Sequence, residues 1–205
     1  MADRARRLRG RRRRARIGSA LVLAGLTLLA SVWYQLWGTG IATSHAQAEL
    51  RRDIAQHGFA AHPVPGGAVG VIRIPRIHLD MAVVQGVSLE ALARGPGHYP
   101  STPLPGHGGN VAIAGHRTTH LHPFWSLNDV RAGDRIDLVT AEGTFVYRVA
   151  WRRVVDPLDT SVLEPTRTPS LTLTTCNPRF QAWQRLVVRA VQVFGPAPGG
   201  FIDRL

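Results

Sequence analysis

Cysteine occurs once in this chain of 205 residues, at Cys176. Without a second thiol no disulfide can form within the chain, so a small scaffold stapled by disulfides is excluded. A solitary cysteine is a free reactive thiol, a bridge to another chain, or an inert buried residue. Acidic residues are also scarce: 13 Asp and Glu face 25 Lys and Arg, for a formal charge of +12. No acidic cluster has the spacing of a calcium-ligand set, so neither a metal nor another cofactor is expected. No internal repeat is present.

The excess charge invites a nucleic-acid reading, but its distribution argues against one. Arg4, Arg6, Arg7, Arg9, Arg11, Arg12, Arg13, Arg14 and Arg16 precede residue 17, opposed only by Asp3. About two thirds of the excess belongs to this tail, and the rest of the chain is mildly basic. A nucleic-acid arm also leaves the next stretch unexplained. Ile17 to Trp37 carries no charged residue, and as a helix of about 21 residues at ~1.5 Å per residue it spans a hydrocarbon core. Trp33, Tyr34 and Trp37 cluster at its far end, where amphipathic rings favour the headgroup region. The arginines keep the N-terminus cytoplasmic, which places everything after residue 38 outside the cell membrane. Ala42-Thr43-Ser44-His45-Ala46 imitates the cleavage site of a signal peptide, whose apolar core is shorter than this one. The single-pass anchor is the reading adopted.

The organisation that follows is a cytoplasmic tail (1–16), a transmembrane helix (17–37), a stalk and linker (38–67), an outer domain (68–195) and a C-terminal tail (196–205). Residues 41–57 read as a short polar helix leaving the bilayer, and 58–70 as a linker rich in Pro and Gly. Glycine (21) and proline (14) punctuate several short apolar runs, which points to a turn-rich β domain. Val69–Ile74, Leu79–Val84, Val111–Ala114, Arg135–Thr140, Thr144–Trp151, Leu171–Thr175 and Leu186–Val193 are strand candidates. Ala141-Glu142-Gly143 makes a hairpin of two of them, and Ser88 caps a short helix through Ala93. Residues 95–109, containing His98, Tyr99 and His107, read as a long loop. The expected fold is mainly β: a closed barrel of roughly eight short strands with one or two short helices.

Leu171 and Leu173 alternate with threonines, so Cys176 ends a half-buried strand, and Asn177-Pro178 breaks it. The thiol therefore meets a loop, where a substrate can reach it. A thiol of ordinary pKa is only a few per cent thiolate near neutrality, so a histidine to move its proton and a cation to favour the anion are needed. Of the nine histidines, His116 fits best, because it follows the apolar run Val111–Ala114 and Gly115. His120 and His122 are alternatives. Arg185, at the start of the last strand, can hold an oxyanion or carbonyl in its planar fork of donors. Arg179 competes, but lies in a loop expected to turn away.

Thr172-Leu173-Thr174-Thr175-Cys176, the upstream Gly115-His116 and the downstream Arg185 resemble the TLxTC signature and the triad of sortases. Gly97-His98-Tyr99-Pro100, Val111 to Thr118 and Thr175 to Phe180 resemble the class E sortases of actinobacteria. The resemblance covers residues 69–194. It implies a membrane-bound cysteine transpeptidase on an eight-stranded β-barrel. Such an enzyme cuts an LAxTG- or LPxTG-type signal between Thr and Gly, holds the protein as a thioacyl enzyme, and passes it to an amine of a peptidoglycan precursor. By that carry-over Cys176 is the nucleophile, His116 the general acid/base and Arg185 the oxyanion stabiliser, while Thr174, Thr175 and Tyr99 contact substrate. Its partners are secreted proteins with C-terminal sorting signals and the cell membrane, and no nucleic acid. A thiol peptidase or hydrolase would use the same three residues, and a non-catalytic anchored binding domain would leave the thiol inert.

Overall fold

The computed structural model describes residues 2–34, 38–60 and 62–196. Trp37 of the expected aromatic cluster, and the C-terminal tail beyond Pro196, lie outside the described residues. The chain forms two units, Met1–Gly38 and Thr39–Leu205. The first contains helix α1 (Ala2–Trp33). Its stretch Arg16–Trp33 is long and apolar enough to cross a membrane, and Leu21, Val22, Leu23, Leu26, Leu28 and Leu29 are all exposed on it. Such a surface is stable only where water is replaced by something apolar.

The second unit is a closed β-barrel with strand order β1-β2-β3-β4-β7-β8-β6-β5. Its strands are β1 (Ala68–Ile74), β2 (Leu79–Gln85), β3 (Gly97–His98), β4 (Asn110–Ala114), β5 (Arg135–Thr140), β6 (Gly143–Val155), β7 (Ser170–Asn177) and β8 (Gln184–Phe194). Alternation sets the inside: Val111 and Ile113 of β4, Leu171 and Leu173 of β7, and Leu186, Val188 and Ala190 of β8 join one core with Phe124, Phe145 and Tyr147. The pairs β2–β3 and β4–β7 are parallel, and the other neighbours are antiparallel. The expected hairpin is β5–β6, with Thr140 opposite Gly143. Helix α3 (Leu89–Arg94) starts at Ser88, whose hydroxyl accepts from the Ala91 N–H.

Two sequence expectations change. The segment 95–109 is not all loop: Gly97 and His98 form β3 and close the barrel between β2 and β4. A Cβ at residue 97 would run into the Gly86 carbonyl oxygen, so only glycine allows the close approach. His98 is a satisfied core histidine, 1% exposed, with Nδ1 on Gln85 Oε1 and Nε2 on the Pro103 carbonyl. The second change concerns helix α2 (Thr39–His57), read from the sequence as a solvated stalk. It docks on the barrel wall. Leu50 packs with Ala68, Ala82, Val84 and Ala91, which explains why β1 and β2 are apolar on both faces. Gln47 accepts from the Ala82 N–H and donates to the Ala82 and Arg94 carbonyls, so one buried side chain completes the edges of β2 and α3.

Candidate active site

Strands β4 and β7 run parallel and end together. Ala114 stands opposite Thr174, the Gly115 N–H donates to the Thr174 carbonyl at 3.0 Å, and the Thr175 hydroxyl donates to the Gly115 carbonyl at 2.7 Å. Continuing that alignment brings His116 level with Cys176. On the other side, β8 begins where β7 ends, with Arg185 directly opposite Cys176. Alternation puts Cys176 on the outer face, opposite to Leu171 and Leu173. The barrel ends thus bring together the three residues singled out from the sequence, which are separated by 60 and 9 positions along the chain.

The surroundings of His116 are unusual. Its Nε2 is buried without a hydrogen-bond partner among the described residues. Burial, and secondarily the neighbouring His120, lower its pKa to about 4. The two imidazoles stack with centroids 4.6 Å apart. His120 itself lies in a turn of three consecutive left-handed residues, His120, Leu121 and His122. Its ring is tied to the Thr119 hydroxyl and its N–H donates to the Thr39 hydroxyl at the start of α2. His122 packs against Trp125, with ring centroids 5.6 Å apart.

The hydrogen bonds of Arg185 are local: one terminal nitrogen donates to the carbonyls of Ala182 (3.0 Å) and Gln184 (3.1 Å). Arg179 does not turn away as expected. Its guanidinium lies over the Trp125 ring, 4.3 Å from the centroid, and donates to the Trp125 carbonyl and to Asn128 Oδ1. Sequence reasoning missed Arg117 altogether. It is buried, and its fork reaches the Cys176 carbonyl, Asn177 Oδ1 and Asn128 Oδ1. A charged residue directly after an apolar strand and its terminal histidine was the available signal; nothing in the sequence marked Asn128.

Thr174 lies on the same face as Cys176, and its hydroxyl pairs with the Tyr99 hydroxyl at 3.1 Å. Thr175 points the other way, is 3% exposed and is bonded to Gly115. Its hydroxyl joins the ends of β4 and β7, a placement suited to fixing the strand ends rather than touching a substrate directly.

The Sortase domain family model matches residues 72–193, most of the barrel and all of the constellation just described. The chain belongs to the sortase family. It is 34% identical over 194 residues to Sortase SrtE1 of Streptomyces coelicolor, an alignment covering 84% of this chain and 55% of that relative. It is 30% identical over 215 residues to Sortase SrtE2 of the same organism, covering 88% and 85%. This sortase therefore spans little more than half the length of SrtE1 but most of SrtE2. The crystal structure of sortase E1 from Streptomyces coelicolor with a tripeptide in the active site superposes with a TM-score of 0.61 at 32% identity. It covers 66% of this chain and 93% of that one. The E-type relatives agree with the class that the motifs of this sortase resemble.

Proposed function

We propose that this sortase is a membrane-anchored cysteine transpeptidase. It cleaves an LAxTG- or LPxTG-type signal between Thr and Gly and transfers the protein to an amine of a cell-wall precursor. The observation that supports this most directly is the register at the barrel end, which pairs Cys176 with Arg185 and Ala114 with Thr174, the latter two residues ahead of His116 and Cys176. Cys176 Sγ attacks the threonine carbonyl carbon as His116 takes the thiol proton. The tetrahedral oxyanion is held by the Arg185 fork. Collapse breaks the Thr–Gly amide bond, His116 returns its proton to the leaving glycine amine, and a thioester remains on Cys176. The acceptor amine then attacks the thioester, gives up its proton to His116, and releases the thiol.

Two features of the site fit these roles. A buried nitrogen without a partner costs about 1–3 kcal/mol, and His116 Nε2 is such a nitrogen among the described residues, so no protein hydrogen bond competes there for a proton. Burial also keeps the imidazole neutral near pH 7, the form that can accept a proton. Thr174 and Tyr99 line the substrate side of the strand end. Residues 1–16 are the cytoplasmic tail, residues 17–37 are the anchor, and residues 68–195 are the extracellular catalytic domain. Tethering raises the local concentration of enzyme where secreted proteins leave the bilayer.

Intact-mass spectrometry of the detergent-solubilised protein tests the reading. It is incubated with LAxTG, LPxTG and scrambled peptides, with and without an amine acceptor. A thioacyl adduct on Cys176 that resolves into an amine-linked product is expected. An adduct resolving only to hydrolysed peptide despite the acceptor identifies a thiol hydrolase. No adduct, from a thiol that also resists alkylation, identifies a binding domain.

A further inference from the structure

Arg117 has no part in the reaction proposed above, yet it occupies a costly position. Its side chain is buried at 7% exposure. One terminal nitrogen donates to the Cys176 carbonyl (3.1 Å) and to Asn177 Oδ1 (2.6 Å), and the other to Asn128 Oδ1 (3.1 Å). Nε is buried without a partner among the described residues. No carboxylate among the described residues lies at ion-pair distance from it; the arginine ion pairs join other groups. A buried charge without a counter-ion is strongly destabilising. A neutral side chain of similar volume would fill the space without that penalty, so the charge itself requires an explanation.

The charged and titratable groups around it identify the missing counter-ion. His116 and His120 come from its own connection, Asp129 from the neighbouring turn, Arg179 from the β7–β8 loop, and Cys176 and Arg185 from the two strand ends. Asp129 is exposed, with its Oδ1 engaged by Asn128 Nδ2. Arg179 shares the Asn128 oxygen and adds a second positive charge. Burial, then Arg179, lower the Arg117 pKa, whereas Cys176 and Asp129 raise it.

We propose that Arg117 is a positioning residue for the nucleophile: its fork clamps the end of β7 at Cys176 and Asn177 to the turn at Asn128, and its unpaired charge sits behind the thiol as the counter-charge of the thiolate. The inference rests on the proposed function only in taking Cys176 as the nucleophile. Arg117 meets the Cys176 carbonyl rather than Sγ, so it acts through the strand end and through its field.

The test is the pH dependence of Cys176 alkylation by iodoacetamide, followed by intact mass on the detergent-solubilised full chain. Arg117→Met is expected to raise the midpoint by about one pH unit, slowing alkylation about tenfold below it. Arg117→Lys keeps the charge and holds the midpoint near that of the wild type, but turnover falls because an ammonium cannot form the fork. Asn128→Asp preserves the shape and both arginine contacts while offsetting one of their two positive charges, and also raises the midpoint. A folded Arg117→Met protein with the wild-type midpoint overturns the proposal, as does Arg117→Lys shifting as far as Arg117→Met. If Arg117→Met does not fold, an unshifted Asn128→Asp midpoint overturns it. Thioacyl formation by the wild type is read separately, so failure of the proposed reaction is distinguishable from failure of this inference.

Discussion

Cys176 lies directly opposite Arg185 in the β7–β8 ladder, so thiol and guanidinium leave the sheet on the same face, while one guanidinium nitrogen is held by the Ala182 and Gln184 carbonyls. Directly opposed residues in an antiparallel pair keep their Cβ atoms within about 5.5 Å. The remaining donors of Arg185 therefore lie on the Cys176 side of the strand pair, from a side chain already braced against its own loop. Arg185→Lys retains the charge but not the planar fork. Turnover is expected to fall by about 10²–10³-fold, the usual cost of removing an oxyanion donor, with Cys176 still alkylated. Single-turnover kinetics by intact mass check this; near-normal turnover would remove Arg185 from the mechanism.

The stacked pair His116 and His120 makes a prediction about protonation. Burial first, and His120 second, lower the His116 pKa from 6.5 to about 4. In the unfolded chain His116 takes up its proton as pH falls through 6.5, whereas the folded protein resists until about 4. The unfolded state thus binds more protons in that window, and this site lowers folding stability as pH falls across it. An NMR titration of His116 is expected to show a midpoint far below 6.5. His120→Ala should move it part of the way back, by removing a neighbouring cation and admitting solvent. A wild-type midpoint near 6.5 would contradict the burial argument.

How much of this was legible in the sequence depends on the range of the contacts. The alternation of Leu171 and Leu173 with threonines, the hairpin at Ala141-Glu142-Gly143 and the Ser88 cap are local patterns, and each reads directly. The strand-end placement of Cys176, facing a loop, followed from the same alternation and from Asn177-Pro178. Strand β3 was not legible, because two residues carry no period and pair only once β2 and β4 are in place. Arg117, Asn128 and Arg179 meet through hydrogen bonds between residues 11 and 51 positions apart, and neither propensity nor spacing foreshadows that meeting. Thr175 was grouped with substrate contacts through a motif, and a motif does not say which way a side chain points.

Gly115 precedes the proposed base in a space that admits no side chain. A Cβ there would lie 2.5 Å from a ring carbon of Phe124, which is itself fully buried. The Phe124 N–H donates to the His116 carbonyl at 3.1 Å, so a displaced Phe124 also displaces the histidine. Gly115→Ala is expected to cost about 1–3 kcal/mol through overpacking. Turnover should fall further than alkylation of Cys176, because the error falls on the base rather than on the thiol. Thermal melts and single-turnover assays on the same sample separate the two effects. An unchanged melting temperature would show that the ring can move aside freely.

Helix α2 makes the last prediction, because its polar face is what joins it to the barrel. Gln47 serves the Ala82 N–H and the Ala82 and Arg94 carbonyls, and the Thr43 hydroxyl donates to the Ala93 carbonyl at 2.7 Å. Leu50 closes the apolar seam at 3% exposure. Removing α2 would expose that seam together with the backbone edge of β2, an unpaired strand segment of the kind that promotes aggregation. A catalytic domain beginning at residue 39 is therefore expected to be more stable than one beginning at residue 58, although both retain every strand. Gln47→Leu isolates the polar part of the effect: it keeps the volume but leaves buried backbone groups unpaired, at about 1–3 kcal/mol. For a domain of this size each kcal/mol lowers the melting temperature by about 2–4 °C. Melting curves of the two truncations and of Gln47→Leu check the assignment, and equal stability of the two truncations would return α2 to the role of a solvated stalk.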